Sequence, residues 1–344
     1  MVQKKISTFY KLTEVGKLTP YFCQSKKRKA MYIEHITLPS LATEEEILYS
    51  TDSSIRTMKG LMKCHSGNLY PFGLFPERSR QRQGLHMDFT TAVTILYGGN
   101  GSGKTTILNI IAEYIKAMRH SAFNKSGLFY DYIKHCNVET GEQYRKAMII
   151  TSDDVFEFLQ RQRRKFEAFN QQRSRFSDEM SRRRATYREE AELGKGVSVD
   201  FDGPDSIESF HRRCDIMKKS NSQLIVQKMG IDQKGQSNGE TAIDFFTDQI
   251  TPGGLYLLDE PENSLSPKMQ LALMDFISMM ADEFDCQFII ASHSPFFIGM
   301  NYASVYNLDA DIIGLCDWTQ LESIQVYRDF FRRLEHNLSR GEGR

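Results

Sequence analysis

The chain has 344 residues, in which Lys plus Arg and Asp plus Glu number 44 each and hydrophobic residues make up 40%. This length predicts about two domains, or one domain with an insertion, and the composition excludes a disordered chain, a collagen-like repeat and a small disulfide scaffold. Since the charges balance, a nucleic-acid surface would have to be a local patch.

The N-terminal residues lead into no apolar segment of a signal peptide, and no apolar run approaches the ~18 residues of a spanning helix. We therefore expect a cytoplasmic chain without direct membrane insertion. The cysteines form no C-x-x-C pair and no zinc spacing with histidine, which fits a reducing compartment. They are Cys23, Cys64, Cys136, Cys214, Cys286 and Cys316.

The first half of the chain begins with a polar stretch, residues 1–30, which ends in a basic cluster. We expect an N-terminal arm there, either simply solvated or in contact with phosphate. Apolar and polar residues then alternate as in strands, and later as on one face of a helix. The predicted strands are residues 31–38, 85–89, 92–97 and 148–150, and the predicted helix is 107–118.

Residues 160–191 differ from the rest because they are dense in Gln, Arg and Glu and contain no Gly or Pro. The sparse apolar residues here fall on two partial heptad phases, which predicts a short coiled-coil-like seam. One phase holds Leu159, Phe166, Met180 and Tyr187, and the other holds Phe169 and Phe176. A Gly-rich break and capping-box spacing at 205–208 predict an antiparallel return over 205–228. Two interpretations remain: an arm that meets a partner or nucleic acid, or a packed helical subdomain with a solvated face.

The second half alternates strands with helices, which predicts a largely parallel sheet covered on both faces. The predicted helices are residues 240–250, 267–284 and 321–337, the last ending in basic residues. The predicted strands are residues 254–258, 286–291 and 304–308. The fold class we expect is α/β.

The strongest chemical signal is the segment 98–105, which matches G-x-x-x-x-G-K-[ST] between a predicted buried strand and a helix. Its glycines let backbone N–H groups cradle phosphates, and the helix N-terminus adds partial positive charge. Lys104 is expected to reach the β- and γ-phosphates, and the Thr105 hydroxyl to bind Mg²⁺. The expected nucleotide contacts are Asn100, Gly101, Ser102, Gly103, Lys104, Thr105 and Thr106.

Three weaker signals gain meaning beside Lys104. Asp259 and Glu260 end an apolar strand, where Asp259 can hold Mg²⁺ and Glu260 can take a proton from water. Residues 237–240 place a serine hydroxyl just before a predicted helix. This arrangement is either an anion-binding site or an ordinary helix cap. His293 follows another buried strand, where it can sense a γ-phosphate.

As a set, segments 98–105, 237–240, 255–260 and 264–267 with His293 are similar to the Walker A, signature, Walker B, D-loop and switch-histidine motifs of ABC-type ATPases. The residues of these motifs resemble those of the SMC/RecF/OLD-like branch and of the small bacterial ATPases grouped as AAA-family. The resemblance lies near the ATPase subunits of Septu-type anti-phage systems. The resemblance implies a P-loop NTPase fold, an ABC-ATPase head with an inserted helical subdomain.

The resemblance also implies an organisation and an assembly. The head would consist of residues 31–155 and 229–344, with a helical insertion at 156–228. A homodimer, or a higher even-numbered oligomer, would hold each ATP and Mg²⁺ between Lys104, Thr105, Asp259 and Glu260 of one subunit and the signature segment of the other. The residues expected from that segment and the D-loop are Ser237, Gly239, Glu240 and Ser266.

The expected function is Mg²⁺-dependent ATP hydrolysis that regulates a separate effector, a nuclease or toxin, in anti-phage defence or in DNA maintenance and repair. Nucleic acid is a candidate ligand, with the helical excursion at 155–228 as the expected contact. The alternative is the motor subunit of a membrane transporter; a ribosome-associated ATPase is less compatible with a single P-loop. Two family positions stay unassigned: the loop glutamine, where Ser152, Asp153 and Asp154 stand, and the adenine-stacking residue, for which Tyr70 and Phe72 are candidates.

Overall fold

The structure is a computed structural model that describes residues 31–49, 70–78, 84–123, 128–193, 211, 213–229, 238–263 and 265–339. The chain divides into two units, one made of Met1–Phe156 with Asn238–Arg344 and the other of Glu157–Ser237. The predicted N-terminal arm and the capping box at 205–208 lie outside the described residues, as does Ser237.

The first unit contains two sheets. Their strands are β1 (Ile33–Thr37), β2 (His86–Asp88), β3 (Val93–Tyr97), β4 (Asn137–Thr140), β5 (Lys146–Thr151), β6 (Gly254–Asp259), β7 (Gln287–Ala291), β8 (Ser304–Asn307) and β9 (Gly314–Leu315). The six-stranded sheet has the order β5-β6-β7-β3-β8-β9 and is parallel except for the β8–β9 pair. The three-stranded sheet, β2-β1-β4, is antiparallel.

The central strands β3, β6 and β7 are buried at every residue. Apolar runs of this kind suit parallel strands whose two faces are covered by helices. The predicted α/β class with a mixed, mostly parallel sheet is confirmed. The residue pattern predicts no strand at β4, in which Val138 is the one buried residue.

The helices are α1 (Leu41–Tyr49), α2 (Lys104–Tyr114), α3 (Phe129–Lys134), α4 (Ser152–Glu192), α5 (Asn221–Met229), α6 (Asn238–Gln249), α7 (Pro267–Glu283), α8 (Pro295–Ile298) and α9 (Glu322–Ser339). Helix α2 ends before Met118, contrary to the prediction for 107–118. Lys116 adopts a left-handed φ of 54°, and the Ala117 N–H closes the helix end on the Ala112 carbonyl at 2.8 Å. Met118 instead forms a parallel bridge with Met148.

One buried side chain ties the two sheets together. Gln287, at the start of β7, is fully buried, and its Oε1 accepts the N–H groups of Tyr32 and Ile33 at 2.8 Å each. Its Nε2 donates to the Ile33 carbonyl at 2.9 Å. Because every polar atom of this amide is used, the antiparallel sheet is held to the amino end of the central strand β7 by bonds that water does not weaken.

The second unit is helical. Helix α4 spans 41 residues, and Met180 on it packs with Ile216 and Leu224 in a small buried cluster. Arg184 donates to the carbonyl oxygens of Ile216 and Lys219 at 2.9 and 2.7 Å, which fastens the returning segment to α4. Phe176 and Tyr187, from the two predicted heptad phases, pack against the cluster.

Candidate functional site

The carboxyl edge of the six-stranded sheet collects the predicted site residues. The loop 98–103 follows β3, Glu260 follows β6, and His293 lies just after β7. The parallel register sets Asp259 beside Ala291, and Ala291 beside Leu96, so these three strand ends lie level with one another. Residues far apart in sequence therefore meet in one place because the strands between them are parallel neighbours.

The loop 98–103 requires glycine at its end. Gly103 has a φ of 102°, and a Cβ built there would lie 2.7 Å from the ring of buried Phe75. Another side chain at this position would meet both backbone strain and a clash. The loop therefore has a backbone path that only glycine adopts without cost, directly before the first turn of α2.

Lys104 is buried at the centre of the site, with 5% of its surface exposed. Its Nζ donates to the carbonyl oxygens of Gly98 and Gly99 at 2.7 and 3.0 Å, and Glu260 Oε1 lies 3.9 Å away. A buried ammonium is costly unless it is well solvated by polar groups. These contacts hold a positive charge inside the loop, where it can attract an anion.

The Thr105 hydroxyl and Asp259 form the second part of the site. Thr105 Oγ1 donates to Asp259 Oδ1 at 3.0 Å. Burial raises the pKa of Asp259 to about 6; the bond from Thr105 lowers this pKa and the carboxylate of Glu260 raises it. A hydroxyl and a carboxylate oxygen at this separation are hard oxygen ligands of the kind that Mg²⁺ prefers.

Glu260 stands next to Lys104 in an unusual backbone conformation. Its φ is 49°, in the left-handed region, and its N–H donates to the Ala291 carbonyl at 2.9 Å. The amide of Asn263 donates to Glu260 Oε2 at 2.9 Å, and His293 Nδ1 lies 3.9 Å from Oε1. Strained residues persist where the surroundings fix them, and this one is fixed by β7 and by Asn263.

A third carboxylate, Glu262, organises the loop that carries His293. Glu262 is buried, and its Oε1 accepts the Ser292 hydroxyl at 2.8 Å and the N–H groups of His293 and Ser294 at 2.9 and 3.2 Å. His293 Nδ1 lies 3.6 Å from the same oxygen. No sequence motif assigned Glu262 a role; an acidic residue two positions after Glu260 was the available signal.

The loop after β8 contacts the loop 98–103, and the sequence patterns did not predict these contacts. Both carboxylate oxygens of Asp309 accept the Gly99 N–H, at 3.0 and 2.8 Å. Arg78 donates to the carbonyl oxygens of Ser102 at 3.4 Å, Ala310 at 3.3 Å and Leu308. The loop 98–103 is thus held from outside by one carboxylate and one guanidinium.

Several predicted residues are not brought into this cluster by a described contact. Gly239 and Glu240 lie in the first turn of α6. The side chain of Glu240 is outside the description, as is all of Ser237. Ser266 is the residue preceding α7, where it is exposed and caps through its carbonyl. Asn100 and Gly101 are exposed at the tip of the loop, and Thr106 is buried in α2.

The two unassigned family positions are occupied by residues with structural partners. Asp154 is buried and accepts the Thr151 N–H at 2.8 Å, which makes a capping box at the start of α4. Tyr70 stacks on Phe129, with ring centroids 5.7 Å apart, and Phe72 packs edge-on against Tyr132. Tyr70 and Phe72 therefore belong to the aromatic core of the first unit.

A family model described as "AAA domain, putative AbiEii toxin, Type IV TA system" matches residues 149–299. This range contains Asp259, Glu260 and His293 but not the loop 98–105. No curated protein matches the chain. Among the residues that the structure describes, no helix is long and apolar enough to cross a membrane.

The chain is also similar to solved ATPase structures at low identity. An Smc head domain of Pyrococcus furiosus, bound to the C-terminal domain of ScpA, is 12% identical, with 88% of this chain and 99% of that chain covered and a TM-score of 0.33. A putative metal-chelate ABC transporter is 12% identical over 84% and 85%, with a TM-score of 0.34. CbiO1 of Clostridium perfringens is 16% identical over 75% and 91%, with a TM-score of 0.31. Likeness at this level transfers no function, which has to be argued from the chain's own residues.

Proposed function

We propose that the chain binds ATP at the carboxyl edge of its six-stranded sheet and hydrolyses the γ-phosphate. The observation that carries this proposal is the arrangement around Lys104. Its buried ammonium lies inside a glycine-bounded loop, and a Thr105–Asp259 pair and a carboxylate of Glu260 stand beside it. A cation for the phosphates, oxygen ligands and a base adjacent to one another are the parts that phosphoryl transfer needs.

Each residue has a separate task in the proposed reaction. Lys104 exchanges its bonds to Gly98 and Gly99 for phosphate oxygens, because a charged acceptor binds an ammonium more strongly than a carbonyl does. Glu260 orients a water molecule and accepts its proton during attack. His293, held at 3.9 Å from Glu260 by Glu262, donates a hydrogen bond toward the γ-phosphate side of the site.

Thr105 and Asp259 fit a Mg²⁺ ion, since a hydroxyl and a carboxylate oxygen already lie 3.0 Å apart at the loop. When bound, the ion would neutralise charge on the phosphates. The phosphate side of the site has a separate indication. Ser102 Oγ is buried in this loop without a hydrogen-bond partner among the described residues. An incoming phosphate oxygen would satisfy that hydroxyl.

The proposed site is completed by a second copy of the chain. In the arrangement implied by the motif resemblance, Ser237, Gly239 and Glu240 at the start of α6, with Ser266 before α7, would close on the nucleotide of the partner. An anion site at a helix start is useful only when a phosphate reaches it. ATP would therefore draw two copies together, and hydrolysis would release them.

The role beyond hydrolysis rests on the same resemblance. We propose that the dimerising ATPase regulates a separate effector protein, a nuclease or toxin of an anti-phage system or a factor in DNA maintenance. Residues 31–155 and 229–344 would form the ATPase head, and the insertion 156–228 would contact the effector or nucleic acid. Co-purification of the ATP-locked protein from its native cells, followed by mass spectrometry, tests this part.

Hydrolysis is tested with Glu260→Gln, which keeps the shape of the side chain and removes the base. Phosphate release should fall by about 100-fold or more, while ATP binding stays within about threefold and a closed dimer accumulates with ATP. Glu142→Gln, at an exposed position of the same unit, is the matched control. Wild-type turnover in Glu260→Gln would reject the proposed role of this residue.

A further inference from the structure

The C-terminal helix α9 presents an uncovered apolar side. Its first turn is anchored, since the Tyr97 hydroxyl donates to Ser323 Oγ at 2.9 Å and the Gln325 amide donates to the Thr319 carbonyl at 2.7 Å. Beyond Gln325 the large apolar side chains are between 42% and 70% exposed: Val326, Tyr327, Phe330, Phe331, Leu334 and Leu338. A contiguous apolar patch of this kind marks an interaction surface.

The apolar residues of α9 follow a heptad pattern. Ile324, Phe331 and Leu338 occupy a positions, and Tyr327 and Leu334 occupy d positions, over the 18 residues of the helix. Unbroken apolar a and d positions define a seam that buries itself against another helix. The structure shows no apolar surface over this seam in the described part of the chain, because its d residues Tyr327 and Leu334 remain 44% and 42% exposed.

The charges beside this seam complement a second copy of the same helix. The e positions are Arg328 and Glu335. In an antiparallel pair the e positions of the two helices face each other, so Arg328 lies opposite Glu335 of the second copy, and Glu335 opposite its Arg328. In a parallel pair the e positions would face g positions, which are Ser323, Phe330 and Asn337 and carry no charge.

Both e side chains are available for these pairs. Arg328 donates to the Gln325 side chain one turn earlier on α9, and within the described residues neither Arg328 nor Glu335 forms an ion pair. A two-fold interface demands that residue i contact j while j contacts i. Positions 328 and 335 satisfy this condition, because each carries the charge opposite to the other. An unrelated partner helix would not be expected to carry the same reciprocal pair.

We propose that α9 pairs antiparallel with α9 of a second copy, in an interface that needs no nucleotide. The apolar seam supplies the burial, and the two Arg328–Glu335 pairs set the orientation. This interface is separate from the ATP-dependent one proposed above. Together, two different two-fold contacts on one chain would link ATPase dimers into larger even-numbered assemblies.

The test uses charge exchange in the full chain, by sedimentation without nucleotide and with EDTA present. Wild type should self-associate reversibly. Arg328→Glu and Glu335→Arg alone should each weaken association about tenfold, because each creates two like-charge contacts. The double variant Arg328→Glu/Glu335→Arg should recover wild-type association, and an equimolar mixture of the two single variants should form a mixed dimer.

Leu334→Asp is the control for the seam itself, and it should give a monomer that stays folded, since Leu334 is 42% exposed. A monomeric wild type without nucleotide would overturn the proposal, as would single variants that associate like wild type. Association that appears only after deletion of residues 1–30 would also overturn it, by showing that this segment of the same chain covers α9. ATP turnover of the same variants separates the two proposals, since the α9 changes leave every residue of the ATP site in place.

Discussion

Buried charge is distributed unevenly between the two units. In the unit that carries the candidate nucleotide site, Glu44, Lys104, Asp154, Asp259 and Glu262 are each less than one-tenth exposed. In the unit Glu157–Ser237, every charged side chain among the described residues is at least partly exposed. Charged side chains are therefore placed differently in the two regions: some are buried in the first unit, whereas all those described in the second reach the surface.

The first unit surrounds its buried charges with polar partners. Lys104 has two carbonyl oxygens, and Glu262 has three donors on one oxygen. The second unit instead pairs charges along the surface of α4, as in Arg161–Glu157 at 3.5 Å and Arg183–Glu179 at 2.6 Å, each one helical turn apart. Such exposed pairs contribute about 0.3–0.5 kcal/mol, whereas removal of one partner from a buried network costs several times more.

The largest effect is expected for Lys104→Ala. This change removes the buried ammonium that would bind phosphate, so ATP affinity should fall by about 100-fold or more. Lys134→Ala is the control in the same unit, because Lys134 is 70% exposed and pairs with Asp131 three residues away on the same helix. Isothermal calorimetry measures the affinity, and retained binding by Lys104→Ala would contradict the site assignment.

The next largest effect is expected for Glu262→Ala. Without this carboxylate, the Ser292 hydroxyl and the N–H groups of His293 and Ser294 lose their shared acceptor, and the His293 loop is free to shift. The turnover number should fall about 10- to 100-fold, because a small misplacement of a catalytic group has that cost. The KM for ATP should stay within about threefold, since the hydrogen bonds of Glu262 among the described residues go to residues 292–294 and not to the loop 98–103.

Glu262→Gln sharpens this result. Its amide oxygen can still accept from the same donors, so steady-state kinetics should show most of the wild-type turnover. If Gln were as damaging as Ala, the negative charge of Glu262 would matter more than its role as acceptor, and a positioning role would be wrong.

The sequence predicted the parts of the site that are local. The loop 98–105 and the strand ending in Asp259 are contiguous patterns, and their buried strands are readable as apolar runs. The braces of the site are not local: Asp309 lies 210 residues from Gly99, and Glu262 lies 31 residues from His293. These contacts follow from strand order and register, which residue patterns alone do not specify.

The second unit was harder to predict for a different reason. Its apolar residues are sparse, so the two heptad phases could be recognised but not which members would be buried. The structure buries Met180 to 6% and leaves Phe166 44% exposed, although both lie on the same phase. The difference comes from the returning segment, because Ile216 and Leu224 pack on Met180.

Met180→Ala therefore tests how little core the second unit has. Removal of a buried methionine side chain typically costs about 3 kcal/mol, which is most of what this small cluster with Ile216 and Leu224 can supply. Amide protons of α5 should lose protection in hydrogen exchange, while those of β6 should keep theirs. Phe166→Ala, on the exposed side of α4, should change neither.

The smallest effect concerns Glu44, a buried charge without a role in the proposed reaction. Glu44 accepts the Gly73 N–H at 2.7 Å, and burial raises the pKa of its carboxyl from 4.5 to about 7. Between these values the folded state keeps a proton that the unfolded state has lost, so stability falls as the pH rises from 4.5 to 7.

Glu44→Gln can accept the same N–H without this penalty. The variant should match wild type in free energy of unfolding at pH 4.5 and exceed it by about 3 kcal/mol at pH 8. Urea titrations at the two pH values measure this difference, and a constant difference would place the penalty elsewhere. The penalty in free energy of unfolding is fully present above pH 7. The first unit therefore tolerates a buried carboxylate outside the candidate site, whereas no charged side chain described in the second unit is buried.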